Sequence, residues 1–594
     1  MPPERFVPSN ETEIVEEIVE KVEHHINETS GFLQDREVFM DMYNGVPRLI
    51  PNKFKEDDKL SRIAAPVTLE SVETLTNALF TMLTSADPNF EFISMRGDVT
   101  SEDLYKLTQI QRFENDKIKF KRKLMKALRS LVLNGTVFIE EPYISFPSGW
   151  QQPMWEATDF VVRPFSQMFW APTMDFDSSD YMGPMDVVTA GQLNALAGMD
   201  QEGSTWLKDN LMIALKKHES DPDKFTASEI KRRLTTLGYQ DFKNFMELIT
   251  YWGPLNSVKD GPGGDYVVGV LNRKHLVRFH TSPYPPGMRP FRIAHHIETE
   301  NEPLGRGVGH QLKDIHKQIN SILNRSADVV TFNVLSQFFV SRYAGLRTSQ
   351  LKVRPWQFIE VDDPSGITPV KADINSATAG VKIYEMLLEL ARNSTGATPT
   401  LQAVITEASA SEVRIAQNNS MRRVSNEAEV VAEDLLRAHY QFAHFNRGLF
   451  MDQPVWVNTI GIDRPMMIYP ADVRKQVDIV PRLVTDKDFA PQMIKNSITL
   501  LQTLTSVRNM IPDDINIRPV VGEIVRRLGI DPSQVFIPRP AAPVMADPRV
   551  MQGMADKEAA LAGGSAASPN EMFNEALGGV DDGTGGPQVP IPVG

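Results

Sequence analysis

The stretch PLGRGVGHQLKDIHKQINSILNRSADVV (Pro303–Val330) decides how the chain reads. A Pro/Gly-rich turn opens it, and Val308, Leu312, Ile315, Ile319, Ile322 and Val329 then recur at helical spacing. The same helix carries an Asp, the pair Ile319-Asn320, and Asn324 about a turn later. Gly305, Gly307 and Gly309 look superficially like a phosphate-binding turn. However, no buried strand leads into them, and Glu298, Glu300 and Glu302 precede them, an acid run that would repel phosphate. The expectation is a flexible glycine hinge that opens a long helix.

Downstream, Gln337–Tyr343 and Leu351–Val361 read as strands around short turns, and a second helix covers about Ala377–Arg392. The segment NSTGATPTLQAVIT (Asn393–Thr406) has no charged residue and is too irregular for regular structure throughout. A very long helix follows from Glu407 to about Arg447, with Met421, Val424, Ala428, Val431, Leu435, Ala438 and Phe442 on one face. Strands at Val455–Ile460 and Val477–Val480 and helices at about Asp488–Asn509 and Val520–Leu528 come next. From Ala546 the chain is rich in Gly, Ala, Pro and Asp and reads as a flexible tail.

Upstream, Asn10 with Glu13 fits a capping box before Ile14, Ile18, Val22 and Ile26. This helix breaks near Ser30-Gly31, and a second piece runs to Tyr43-Asn44-Gly45. A further helix opens at Pro66 with Leu69, Val72, Leu75, Leu79 and Met82 on one stripe, and stops before Asp87-Pro88. Phe90-Glu91-Phe92 reads as a short strand. One long helix is expected over Glu102–Leu133, ending at the C-cap Asn134-Gly135 and turning straight into the strand Thr136–Ile139. Its basic middle, Lys117 to Arg129, is read as a solvated face, with Leu124, Leu128 and Leu131 inward. Residues 145–300 mix helical patches (Ala190–Ala197, Ser204–Lys217, Thr226–Leu237) with strands (Glu247–Trp252, Tyr266–Leu271, His275–Phe279).

Composition narrows the function. A chain of 594 residues, 41% hydrophobic and 23% charged, is globular and too long for one core. The absence of cysteine excludes disulfides, zinc ribbons and thiol nucleophiles. A net charge of −14 argues against a general nucleic-acid coat. The start MPPERFVPSN lacks the pattern of a signal peptide, and no apolar run reaches roughly 18 residues, so no membrane partner is expected. No phosphate loop, H-E-x-x-H, G-x-S-x-G or EF-hand motif occurs, and the histidines fall in no metal-binding spacing; His24 and His25 read as the polar side of an acidic helix. The expectation is a protein that is not an enzyme and holds no cofactor or metal.

Four segments in this order carry a resemblance: NALFTMLTSADPNFEF (Asn77–Phe92), KALRSLVLNGTVFIEEP (Lys126–Pro142), the opening stretch, and ASASEVRIAQNNSMRRVSNEAEVVAEDLL from the long helix. Their order and spacing over roughly residues 65–530 are similar to those of the portal, or head-to-tail connector, proteins of tailed bacteriophages. The resemblance implies an α+β, predominantly helical portal fold. It would comprise a wing (1–304), a first stem helix (305–337), a strand-containing clip (338–376) and a second stem helix (377–392). A tunnel loop (393–406), the long helix and return to the wing (407–484), a crown (485–545) and the tail (546–594) would follow. It also implies a homo-oligomeric ring, usually of about twelve subunits, at one capsid vertex of the virion, made in the host cytoplasm. Double-stranded DNA would be packaged and ejected through it. Its partners would be the terminase large subunit, the head-tail adaptor, the major capsid protein and the scaffold. The alternatives are another ring-forming virion component, such as an adaptor or tail protein, and, less favoured, a nucleic-acid-processing enzyme.

A portal must let a polyanion slide without gripping it, because every firm phosphate contact would stall movement. Under that resemblance the uncharged loop is the DNA-channel candidate, touching DNA weakly through Asn393, Ser394, Thr395, Thr398, Thr400 and Gln402, with Gly396 and Pro399 setting its shape. From Gly305 to Arg342, Arg306, Lys313, Lys317, Arg325 and Arg342 outnumber Asp314 and Asp328, an excess that would offset repulsion between acidic subunits, face an acidic neighbour or simply form a solvated face. The apolar stripes of the two stem helices and the long helix are expected to exceed what one chain can cover, and so to form subunit contacts.

Overall fold

Helices α1 (Glu11–Glu28) and α2 (Ser30–Asn44) part at Thr29, beside the expected break. Asn10 flanks α1 but caps no backbone N–H; its amide donates to the Ser257 carbonyl (2.6 Å) and to Glu13 (2.9 Å), tying the helix start to a distant loop. Helix α3 (Val67–Thr84) buries Val72, Leu75, Leu79 and Met82 and leaves Leu69 exposed. Strand β1 (Phe90–Ser94) follows. The single helix expected over Glu102–Leu133 is two, α4 (Ser101–Ile118) and α5 (Phe120–Asn134), broken at Lys119 in the left-handed region (φ 57°). No glycine or proline marks that break. Instead it lets α5 turn Leu124, Leu128 and Leu131, all fully buried, into the core. Gly135 ends α5 in the left-handed conformation, as the sequence predicts, and β2 (Thr136–Glu140) begins at once.

The computed structural model describes residues 8, 10–46, 61–95, 99–147, 153–173, 176, 179–198, 205–220, 245–258, 263–300, 302–334, 337–341, 367–370, 374–397, 423–457 and 466–483. The expected crown and tail, the helix at Thr226–Leu237 and most of the expected clip lie outside them.

Strands β3 (Tyr143–Pro147) and β4 (Pro153–Thr158) pair with each other, while β5 (Val161–Arg163) lies beside β2. Next come β6 (Met168–Trp170), β7 (Met182–Thr189), α6 (Ala190–Gly198), α7 (Lys208–Ser220), β8 (Phe245–Gly253), β9 (Tyr266–Leu271) and β10 (His275–Thr281). They build an antiparallel five-stranded sheet in the order β10-β9-β8-β7-β6. Alternation along β8 explains why both faces are covered. Ile249 and Tyr251 pack with Ile14, Ile18 and Val22 of α1, whereas Met246 and Leu248 pack with Leu193, Leu211 and Leu215 of α6 and α7. Strand β11 (Phe291–His295) joins the other edge of β2.

Helix α8 (Val308–Val334) is the long helix of the opening stretch. The glycines at its start are not a hinge. A Cβ on Gly307 would lie 2.3 Å from the Gly135 nitrogen, and one on Gly309 2.5 Å from the Phe39 ring. They are therefore small because α8 starts in backbone contact with the α5–β2 turn. Strands β12 (Gln337–Val340) and β13 (Ile367–Val370) pair antiparallel beyond α8, and α9 (Ile374–Thr395) returns along it. Strand β13 was not read from the sequence, and Leu351–Val361, where a strand was expected, lies outside the described residues. Helix α10 (423–450) carries a π-helical stretch, Ala432–Arg437, before Ala438–Phe450. Finally β14 (Val455–Val457), β15 (Met466–Ile468), α11 (Pro470–Val473) and β16 (Val477–Pro481) bring the chain back, and β16 pairs with β1. Among the described residues the fold is mixed, with helix outweighing strand, 55% to 22%. Among the described residues no helix is long and apolar enough to cross a membrane.

Candidate functional site

The candidate site is the antiparallel pair α8–α9. Its first half is fixed by a polar ladder. His316, Asn320, Asn324 and Asp328 stand four residues apart on α8, so they share one face at a rise of about 6 Å each. Asp328 accepts the Ser61 N–H (2.7 Å), Asn324 the Ile63 N–H (2.6 Å) and Asn320 the Ala65 N–H (2.9 Å); His316 meets Thr68 at 3.0 Å. Alternate residues of an extended chain advance by about 6.6 Å, which is why every second N–H meets every fourth side chain. The Ile-Asn and Asn features of the motif thus clamp the segment entering α3. Lys313 adds an ion pair to Asp35 of α2 (2.6 Å).

Helix α9 is held toward both ends. Ala391 and Ala397 are buried, Arg392 pairs with Glu70 of α3 (3.0 Å), and a Cβ on Gly380 would meet the Ser326 hydroxyl at 2.3 Å. The opposite face is bare. Ile383, Met386 and Leu390, spaced at i, i+3 and i+7, are 44%, 61% and 51% exposed, and Val381 beside them is exposed too. By contrast α8 buries Val308, Leu312 and Ile319, and α10 buries Val424, Ala428, Val431, Leu435 and Phe442 against the same chain. Of the three stripes expected to exceed what one chain can cover, α9 carries one that is bare among the described residues. Of the cations on and just before α8, Lys317 and Arg325 are exposed without a carboxylate partner among the described residues, whereas Lys313 is paired and Arg306 lies 3.6 Å from Glu302.

The six candidate channel residues do not share one setting. Asn393, Ser394 and Thr395 form the last turn of α9 rather than a loop. Asn393 is exposed. The Ser394 hydroxyl donates to the Ala391 carbonyl (3.0 Å), and Thr395, buried, donates to the same carbonyl (2.9 Å). The Thr395 hydroxyl is thus spent on the helix end, which Gly396 closes at φ +79°. The sequence N-S-T-G held that signal, since a left-handed Gly marks the residue after a helix. Thr398, Thr400 and Gln402 lie outside the described residues.

The histidines are packing and hydrogen-bonding groups. His25 is buried edge-on to Trp170 at 4.2 Å, not on a polar face as expected. Burial pushes the imidazoles of His25, His310, His316 and His444 down to about 4, and that of His280 to about 3. Sequence reading missed a buried polar joint where α10 docks. Arg447 reaches Glu114 of α4 (2.9 Å), His439 reaches Glu141 beyond β2 (2.8 Å), and Asn446 donates to Thr158 (3.1 Å). Burial holds the Glu114 carboxyl above its usual range despite Arg447. Among the described residues no group of three or more His, Asp or Glu side chains is arranged to hold a metal ion. No protein-family model matches the sequence, and no curated protein matches it either.

Proposed function

We propose that this chain is a portal-type subunit that assembles into a ring, through which double-stranded DNA enters and leaves a phage capsid. One observation carries the reading. Two long antiparallel helices, α8 and α9, bracket a strand pair, and α9 shows an apolar stripe that nothing among the described residues covers. A stripe of three large apolar residues at helical spacing suits a neighbouring subunit in a closed ring. The exposed Lys317 and Arg325 of α8 suit an acidic neighbour, since the whole chain carries −14. The acidic balance also suits DNA as cargo rather than as a tightly held ligand.

In this reading Asn393, exposed within the last turn of α9, marks where the channel segment begins, and Thr398, Thr400 and Gln402 follow it. The terminase, the adaptor, and the capsid and scaffold proteins are the proposed partners at the ring's surfaces. Electron micrographs of the purified full chain test the proposal. A ring of about twelve subunits with a central hole is expected. The double substitution Ile383→Asp, Met386→Asp should leave the circular dichroism unchanged and abolish the ring. A monomer at every concentration and salt, or rings unaffected by the double substitution, would sink the reading.

A further inference from the structure

A second feature lies at the N-terminal end of α8, away from the bare stripe. Phe32, Asp35 and Arg36 of α2, Glu302, Arg306 and His310 line a cavity of about 280 Å³ there. Arg36 is 8% exposed and lies over the Phe165 ring at 3.8 Å. Its Nη1 is buried without a hydrogen-bond partner, and it forms no ion pair with a carboxylate among the described residues. The two carboxylates beside it are engaged elsewhere. Asp35 holds Lys313 at 2.6 Å, and Glu302, at the exposed rim, lies 3.6 Å from Arg306. The lining thus sets Arg36 and Arg306 against Asp35 and Glu302, and Lys313, from outside the lining, already engages Asp35. A buried guanidinium without a counter-charge destabilises the free protein, so a negatively charged ligand has an unusually large gain available.

The other groups on the cavity suit the same charge. It opens at the N-terminal end of a 27-residue helix, where the backbone dipole is positive. The Gly307 N–H donates to Nδ1 of His310 (3.2 Å), which leaves the ring hydrogen on Nε2 as a donor. His310 in turn is fixed edge-on to Phe39 at 4.5 Å. The glycine turn itself contributes no free N–H from its first residues. Gly305 donates to Thr136 (2.8 Å) and Arg306 to Ile297 (2.8 Å), so this is not a phosphate loop. Recognition rests on the arginine supplied by α2, a residue no reading of the glycine motif would single out.

We propose that this cavity binds an oxyanion, a phosphate group or a carboxylate, held by Arg36 with Arg306 at its rim. Binding to the folded state alone raises stability with ligand concentration. The test is thermal unfolding of the full chain at pH 7 in series of inorganic phosphate and of acetate, with sodium chloride holding ionic strength constant. The wild-type Tm should climb and saturate with at least one anion. A response to phosphate alone identifies a tetrahedral phosphate group as the ligand class, and a response to acetate alone a carboxylate. Arg36→Met, which keeps the contact with Phe165, should remove the climb. Arg306→Gln, at the exposed rim, should raise the half-effective concentration several-fold and decides the matter if Arg36→Met does not fold. A wild-type Tm flat in both anions, or a climb unchanged in the variants that fold, would overturn the proposal.

Discussion

Asn324 uses both ends of its amide on one residue: Oδ1 accepts the Ile63 N–H (2.6 Å) and Nδ2 donates to the Ile63 carbonyl (2.9 Å). The side chain is 8% exposed, so water has little access to the groups it satisfies. Leucine has nearly the same volume but no polar atoms. Asn324→Leu is therefore expected to lower stability by about 1–3 kcal/mol, the cost of leaving buried backbone groups unpaired. Denaturant unfolding checks this, and a loss below roughly 0.5 kcal/mol would mean that the segment 61–65 finds other partners. From the sequence, Asn324 was legible as part of a motif but not as a clamp, because its partner lies 261 residues away.

At the scale of elements, local periodicity did most of the work. The stripes of α1, α3 and α5, the Gly135 cap and the edges of β9 all follow from spacing and turn chemistry visible within a few residues. What failed was set by tertiary contact. The break at Lys119 has no local signature; a lysine holds a conformation that costs an L-residue about 1 kcal/mol or more, and burial of the α5 leucines offsets it. Glycine removes that penalty. Lys119→Gly should raise unfolding stability by about 0.5–1 kcal/mol with an unchanged circular dichroism spectrum. A destabilised variant would show that the lysine side chain supplies more than a tolerated turn. The C-terminal turn of α9 is the reverse case, for its Gly396 stop signal was present but read as part of a loop.

At the scale of the molecule, late sequence completes early structure. Strand β16 pairs Val477–Pro481 with Phe90–Ser94, and α10 sets His439 and Arg447 against Glu141 and Glu114. No composition or spacing announces such pairings, although an order of elements returning to the first domain anticipates their general sense. This wide core also buries imidazoles, and that gives the whole fold a pH dependence. Six of them, His25, His275, His280, His310, His316 and His444, titrate below their ordinary value of 6.5 chiefly because burial disfavours the charged ring. The unfolded chain takes up their protons near 6.5, while the folded chain takes them up lower, at about 4 for His25, His310, His316 and His444. The stabilising contribution is thus complete above 6.5 and is lost as pH falls from there toward 4. Carboxylates held low, such as Glu73 and Asp478, act only further down, near and below their ordinary values of 4.5 and 3.8. Glu114, Glu140 and Glu156 are held high by burial and oppose the fall. Unfolding stability measured by denaturant should therefore drop between pH 6.5 and 5. His316→Gln should lessen that slope by up to about one proton, or about 1.4 kcal/mol per pH unit, whatever it does to stability at pH 7. A slope identical in the variant would mean that His316 takes up its proton in the folded chain, and that the contact with Thr68 at 3.0 Å does not hold the ring neutral.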